Sequence, residues 1–311
     1  MPATPSTQRL FWGWDAPVLE KATAFLLRDW QPGTGALDLS DTLIIVPTAE
    51  AGRRLKEALA RETAVHDLGA SIPWVWSPEQ ALLPRQLCPG MKSASRLQSH
   101  LAWQRALRSV ALESLQALFP ALPEERGWSW QAEMARLMAE LNALLGAGGR
   151  TFAELPALLS HDSARWRDLA VIERAYLAEL SPAGLEDTQA LKRAGASAPI
   201  LPEGLRRVVI FAAPDLPPLF DRWVQSCTDR GLEVTVAVHA PPQLAHTIDA
   251  IGRPLPAHWG EDADQTLPLT NDAIHLGHDA ARQAATVITL LRHLAQRGHV
   301  ALGVSDPEVG A

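Results

Sequence analysis

The chain has 311 residues, 47% of them hydrophobic, enough for one large or two medium domains with a buried core. A formal net charge of −7 excludes a global electrostatic drive toward nucleic acid or anionic membrane, so any nucleic-acid contact must be local. Two cysteines, Cys88 and Cys227, in no Cys-x-x-Cys pattern, exclude a disulfide framework and a zinc ribbon and point to a reducing compartment.

No apolar run reaches the roughly 18 residues that cross a bilayer, and Met1 to Thr7 lacks the charged and apolar regions of a signal peptide. The protein reads as cytoplasmic, with no membrane partner.

Arg9 to Trp14 reads as a first short strand closing on Gly13, with Asp15 as N-cap of a helix that runs to Trp30. Leu43-Ile44-Ile45-Val46, followed by Pro47-Thr48 and then strong helix formers to about Arg61, reads as a buried strand, a tight turn and a helix. Nucleotide-binding α/β proteins place a phosphate loop at such a turn, and that loop needs glycines and a Lys-Ser/Thr pair. Only Gly52 stands in this segment, and Lys56 is followed by Glu57, so the scaffold is kept while the ATP chemistry is lost.

Residues 72–76 alternate like a strand, after which Ser77 and Pro78 fit an N-cap and first helical position. From Ser95 to Leu180 the pattern is helical throughout. Its stripes are Leu97, Leu101, Leu107, Val110, Leu115 and Leu118, then Met134, Leu137, Met138, Leu141, Leu144 and Leu145, then Trp166, Leu169, Ile172, Tyr176 and Leu180. Its charges nearly cancel, so it is not a basic arm.

Beyond Pro202 the α/β rhythm returns. Val208 to Ala212 reads as a buried strand, followed by Pro214-Asp215, a helix with Phe220, Trp223, Val224 and Cys227, and a strand from Val234 to Val238. A short strand at 273–276, a helix capped by Asp279 with Val287, Ile288, Leu291 and Leu294 inward and ending at Gly298, and a last strand at 300–304 follow. A chain stopping just after a strand reads as a fragment or a truncated product, the alternative being a natural terminal strand.

The fold expected is α/β, a RecA-like parallel sheet of the superfamily 1 helicase type interrupted by an all-helical insertion. Its parts are residues 1–92 and 196–272 for the sheet domain, 93–195 for the insertion and 273–311 for the start of a second α/β domain.

No catalytic site is visible. An ATPase strand ending in an acid uses it for Mg²⁺ and a second acid for water; Asp215 is followed by Leu216-Pro217-Pro218, leaving it a remnant or the cap of the next helix. A Pro-Asp…Glu-x-Lys nuclease core fails because Glu233-Val234-Thr235 supplies no lysine. His275, His278 and Asp279 are spaced like metal ligands but read as a strand end beside a cap, and no metal is expected. The nucleic-acid candidates are Thr48, Arg53 and Arg54 at a strand-to-helix turn, able to take a phosphate, and Trp74, Trp76 and Ser77, able to offer a stacking face and a backbone contact. Core packing competes for the tryptophans, and a solvated helix face for the arginines.

In this order the landmarks resemble the N-terminal part of the AddB subunits of AddAB-type helicase-nucleases, which process double-strand DNA breaks. Leu43 to Leu59 looks like the motif I position, Trp76 to Leu82 the next helicase-type segment, Val208 to Leu219 the motif II position, and Asp279 to Asp306 the opening of a second RecA-like domain. The resemblance implies an inactivated helicase-like scaffold that holds DNA beside a helicase subunit of AddA type. It also implies a PD-(D/E)XK nuclease domain beyond residue 311, with Mg²⁺ and an iron-sulfur cluster; no cofactor is expected within this chain. Two other readings stay open: a nucleotide-dependent α/β enzyme with an atypical phosphate site, and a purely structural partner subunit.

Overall fold

Leu43-Ile44-Ile45 and Val208-Val209-Ile210-Phe211 are apolar at every position, a pattern suited to strands whose sheet is covered on both faces. The computed structural model, which describes residues 7–122, 124–259 and 274–294, has that arrangement. Its first elements are β1 (Gln8–Phe11), α1 (Val18–Leu27), β2 (Leu37–Asp38), β3 (Thr42–Ile45), α2 (Ala49–Ala64), β4 (Ala70–Ser71), β5 (Trp74–Trp76) and α3 (Pro78–Leu82). A helical stretch follows: α4 (Arg96–Ser109), α5 (Trp128–Ala147), α6 (Leu155–Leu158), α7 (Ser163–Leu180) and α8 (Thr188–Ser197). Then come β6 (Arg207–Phe211), α9 (Leu219–Asp229), β7 (Glu233–Val238) and α10 (Pro256–Trp259).

Five strands form one parallel sheet in the order β1-β7-β6-β3-β5, and β2 pairs with β4 apart from it. Side chains of β3 and β6 alternate between two cores, as the two-residue period of a strand requires. Leu43, Ile45, Val208 and Ile210 join Phe220, Trp223 and Cys227 of α9 on one face. Ile44, Val46, Val209 and Phe211 join Ala22 and Leu26 of α1 and Leu55 and Leu59 of α2 on the other. The protein is therefore α/β, with a parallel central sheet between helical layers.

Among the described residues from 78 to 206 there are helices and one isolated bridge, Ser93 to Glu186, but no strand. Most of these helices share a third core, centred on Trp103 and Tyr176, whose rings stack at 3.9 Å with planes 2° apart. α8 departs from this: its Ala196 lies in the core of the sheet, with α3 and α9. At Gly195 an added Cβ would come within 2.1 Å of the Leu82 carbonyl oxygen, so α8 crosses α3 at a distance only glycine allows.

Several expectations are corrected in detail. Asp15 does not cap α1, which starts after Pro17 without a side-chain cap. Leu97 and Leu101 of α4 face solvent, and its buried face is Ala102, Trp103, Ala106 and Leu107. Likewise Leu137 and Leu144 of α5 are exposed, its buried face being Ala135, Met138, Asn142 and Gly146. The α7 stripe is buried at Leu169, Ile172, Tyr176 and Leu180.

Contacts divide the chain into Met1–Pro256 and Ala257–Ala311. In the second unit the described residues 274–277 form no strand, and Asp279 accepts the Arg282 N–H at 2.7 Å to open α11 (Ala280–Leu294). No residue of α11 is buried, against the expected inward face. The helix end at Gly298 and the strand expected at 300–304 lie outside the described residues.

Candidate nucleic-acid interface

In an open parallel sheet, ligands bind beyond the carboxyl ends of the strands, where neighbouring strands connect in opposite directions. β3 leads on to β5 on one side and β6 to β7 on the other, so this crevice lies between the exits of β3 and β6. Val46-Pro47-Thr48 borders it on one side and Ala212 to Asp215 on the other.

At the β3 exit Thr48 is the N-cap of α2, its hydroxyl accepting the Ala51 N–H at 3.1 Å. Arg53 forks onto Glu50 at 2.7 and 2.8 Å and also donates to Glu57, while Arg54 donates to Glu50 at 2.8 Å. Those hydrogen bonds hold the Glu50 carboxyl down at about 2, below the usual carboxylate range. The two arginines thus face two carboxylates, and a phosphate would have to displace Glu50 to reach them. Gly52 serves packing: an added Cβ would lie 2.9 Å from Val75 Cγ1 of β5.

Around β5 the candidates are split. Trp76 is 2% exposed and belongs to the core, so it offers no face to a base. Trp74 is 40% exposed and meets Trp76 edge to face at 6.2 Å. Trp74 pairs in register with Leu43, whereas Ser77 lies three residues on, about 10 Å along the strand. Ser77 closes a capping box with Gln80, its hydroxyl accepting the Gln80 N–H and its own N–H donating to Gln80 Oε1. The fold brings Thr48 and Ser77 to one edge of the sheet and leaves Trp74 behind it.

Asp215 is exposed and caps nothing, because α9 begins after Pro218 with no side-chain cap. The strand leaves β6 through Ala212 at φ 42°, a left-handed conformation that a non-glycine residue rarely adopts. Among the described residues no group of three His, Cys, Asp or Glu is placed to hold a metal ion. No helix among them is long and apolar enough to cross a membrane.

Neither a protein-family model nor a curated protein matches the chain.

One polar cluster escaped the sequence reading. In the turn between β1 and α1, Gly13 sits at φ 70°, and Lys21 reaches back from α1 to the Trp12 carbonyl and to Asp15 Oδ1 at 2.6 Å. Hydrogen bonding from Lys21, then from the backbone, lowers the Asp15 carboxyl. The signal available was a lysine one turn into a helix that follows a strand and a glycine. Asp15 had been given to the cap instead.

Proposed function

We propose that this chain is a catalytically silent RecA-like scaffold of the AddB type that holds DNA beside a helicase subunit, its residues 93–195 being the helical insertion of the superfamily 1 helicase plan. The observation that carries this reading is the direct adjacency of β3 and β6 in an all-parallel sheet, which puts the switch point where such sheets bind ligands at their exits. Thr48 is engaged as a cap, Arg53 and Arg54 are paired with glutamates, and Asp215 has no second acid beside it. Such a crevice retains the place of a nucleotide site without the groups that bind Mg²⁺ and activate water.

A nucleotide-dependent enzyme is the second reading, favoured by Lys21, which reaches from the first turn of α1 back into the β1–α1 turn, as a phosphate-loop lysine would. Titration calorimetry with ATP and Mg²⁺ separates the two, since the scaffold gives no heat of binding. DNA binding is tested by fluorescence anisotropy of labelled single-stranded and duplex-end oligonucleotides across a salt series. Salt-sensitive binding on the order of micromolar to tens of micromolar is expected; its absence from both substrates removes the DNA-holding role and leaves a structural partner.

A further inference from the structure

We infer that single-stranded DNA lies in a trough between α3, α4, α5 and α8, held by Arg85, Arg96 and His100 and not by the arginines of α2; this rests on the DNA-holding reading above. The trough has a volume of about 940 Å³. A smaller cavity of about 270 Å³ shares Glu79, Ala143, Gln189 and Lys192 with it and continues to Pro217 and Leu219, beside the β6 exit. The path therefore runs from the crevice of the sheet along the first turn of α3 to the start of α4.

Its charges are unevenly satisfied. Lys192 is paired with Glu79 at 3.1 Å, and Arg136 with Glu133 and Glu140 at 2.6 Å each. The Asp187 carboxylate, 5% exposed, is turned inward: it accepts from the Tyr176 hydroxyl at 2.8 Å, Asn142 Nδ2 at 3.2 Å and the Ala190 N–H at 2.8 Å. Among the described residues Arg85 donates only to the Ser93 hydroxyl at 3.1 Å, and neither Arg96 nor His100 has a carboxylate within ion-pair distance. Two arginines and a histidine thus line one cavity with no ion pair among the described residues, whereas Arg53 and Arg54 are already occupied. Arg96 and His100 lie four residues apart on one helix face, about 6 Å along its axis, a spacing at which both can contact one strand's backbone.

The rest of the lining selects between strand forms. Leu97, 67% exposed, and the side chains of Ala139 and Ala143 present apolar surface beside Arg85 and Arg96. A single strand has unstacked base faces to lay on apolar surface while its phosphates meet the arginines. A duplex keeps its bases stacked inside and has no use for Leu97.

The test uses the full chain and a labelled oligothymidine. R85A/R96A is expected to weaken binding about tenfold or more at low salt and to make the plot of log affinity against log salt shallower by about 1.4, the loss of two single-strand phosphate contacts. R165A/R174A, which removes the same charge from the outer side of α7, should leave both quantities unchanged. Circular-dichroism melts check that each variant is folded. A photoreactive thymidine strand should crosslink to peptides within residues 85–100 and 136–143, which keeps the test independent of the substitutions.

If the wild type binds DNA and R85A/R96A binds it equally well with the same salt slope, the trough is excluded and the DNA-holding reading stands. If the wild type binds no DNA, both fall. Displacement of the strand by polyglutamate as readily as by unlabelled oligothymidine would overturn recognition of nucleic acid in favour of an acidic peptide.

Discussion

Thr48 closes the first turn of a sixteen-residue helix through one hydroxyl, and that is a measurable duty. Thr48→Ala is expected to lower stability by about 1 kcal/mol, seen as a lower urea midpoint at unchanged slope. Glu173 offers a pH-dependent counterpart. It is 6% exposed, and burial raises its carboxyl pKa despite backbone hydrogen bonds from Phe152 and Ala153. A folded pKa above the unfolded one contributes stability that is complete below the unfolded value and is lost as pH rises through the folded value. Burial of Glu173 therefore weakens the fold as pH rises above the unfolded carboxylate value. Glu173→Gln should raise the melting temperature at pH 7, and the gain should shrink toward zero near the unfolded carboxylate pKa of about 4.3. At this scale Thr48 was legible as the residue between strand and helix. Trp76 was not assignable, since a tryptophan in an alternating strand has the same pattern whether its ring packs or stacks on a ligand.

Helix contacts decide the next level. Gly195 and Gly146 both sit where helices cross, but their neighbours differ. A Cβ at Gly195 meets backbone, the Leu82 carbonyl oxygen at 2.1 Å, while one at Gly146 meets the Gln189 side chain, its Cβ and its Oε1 both at 2.7 Å. Alanine gains about 1 kcal/mol of helix propensity at either site. At Gly195 overpacking outweighs this, for a net loss of about 1–3 kcal/mol; Gly146→Ala should also be destabilising, because the Gln189 Cβ is fixed to its backbone, but by less than Gly195→Ala, and paired denaturant titrations compare them. Stripe periodicity located α4, α5 and α7 but misjudged Leu97, Leu101, Leu137 and Leu144. A leucine-rich helix has more apolar positions than one core contact can cover, and only the partner helix selects among them. Leu97 faces the trough for that reason.

At the scale of the molecule, the buried residues of the three cores found among the described residues lie between residues 22 and 251. A chain ending at Pro256 is therefore expected to unfold cooperatively with a midpoint close to that of the full chain; loss of cooperativity in thermal melts would show that residues 257–311 complete the fold. The sheet also explains why its interior strands were readable. β3 and β6 are covered on both faces, so each is a continuous apolar run that local sequence identifies without knowledge of its neighbours.

Sequence alone determined the α/β alternation, the helical stretch between β5 and β6, and that Leu43 to Leu59 holds no glycine-rich Lys-Ser/Thr loop, because each depends on residue type within a few positions along the chain. Only the tertiary structure decided the strand order, the burial of Trp76, the pairing of Asp15 with Lys21, and which arginines keep a free charge. Arg53 and Arg54 are neutralised within one helix, whereas Arg85 and Arg96 stay unpaired because the fold turns Asp187 inward and joins Glu79 and Glu140 to other cations. Electrostatic pairing depends on distance in space, and the residues that set it here are up to about a hundred positions apart in the chain.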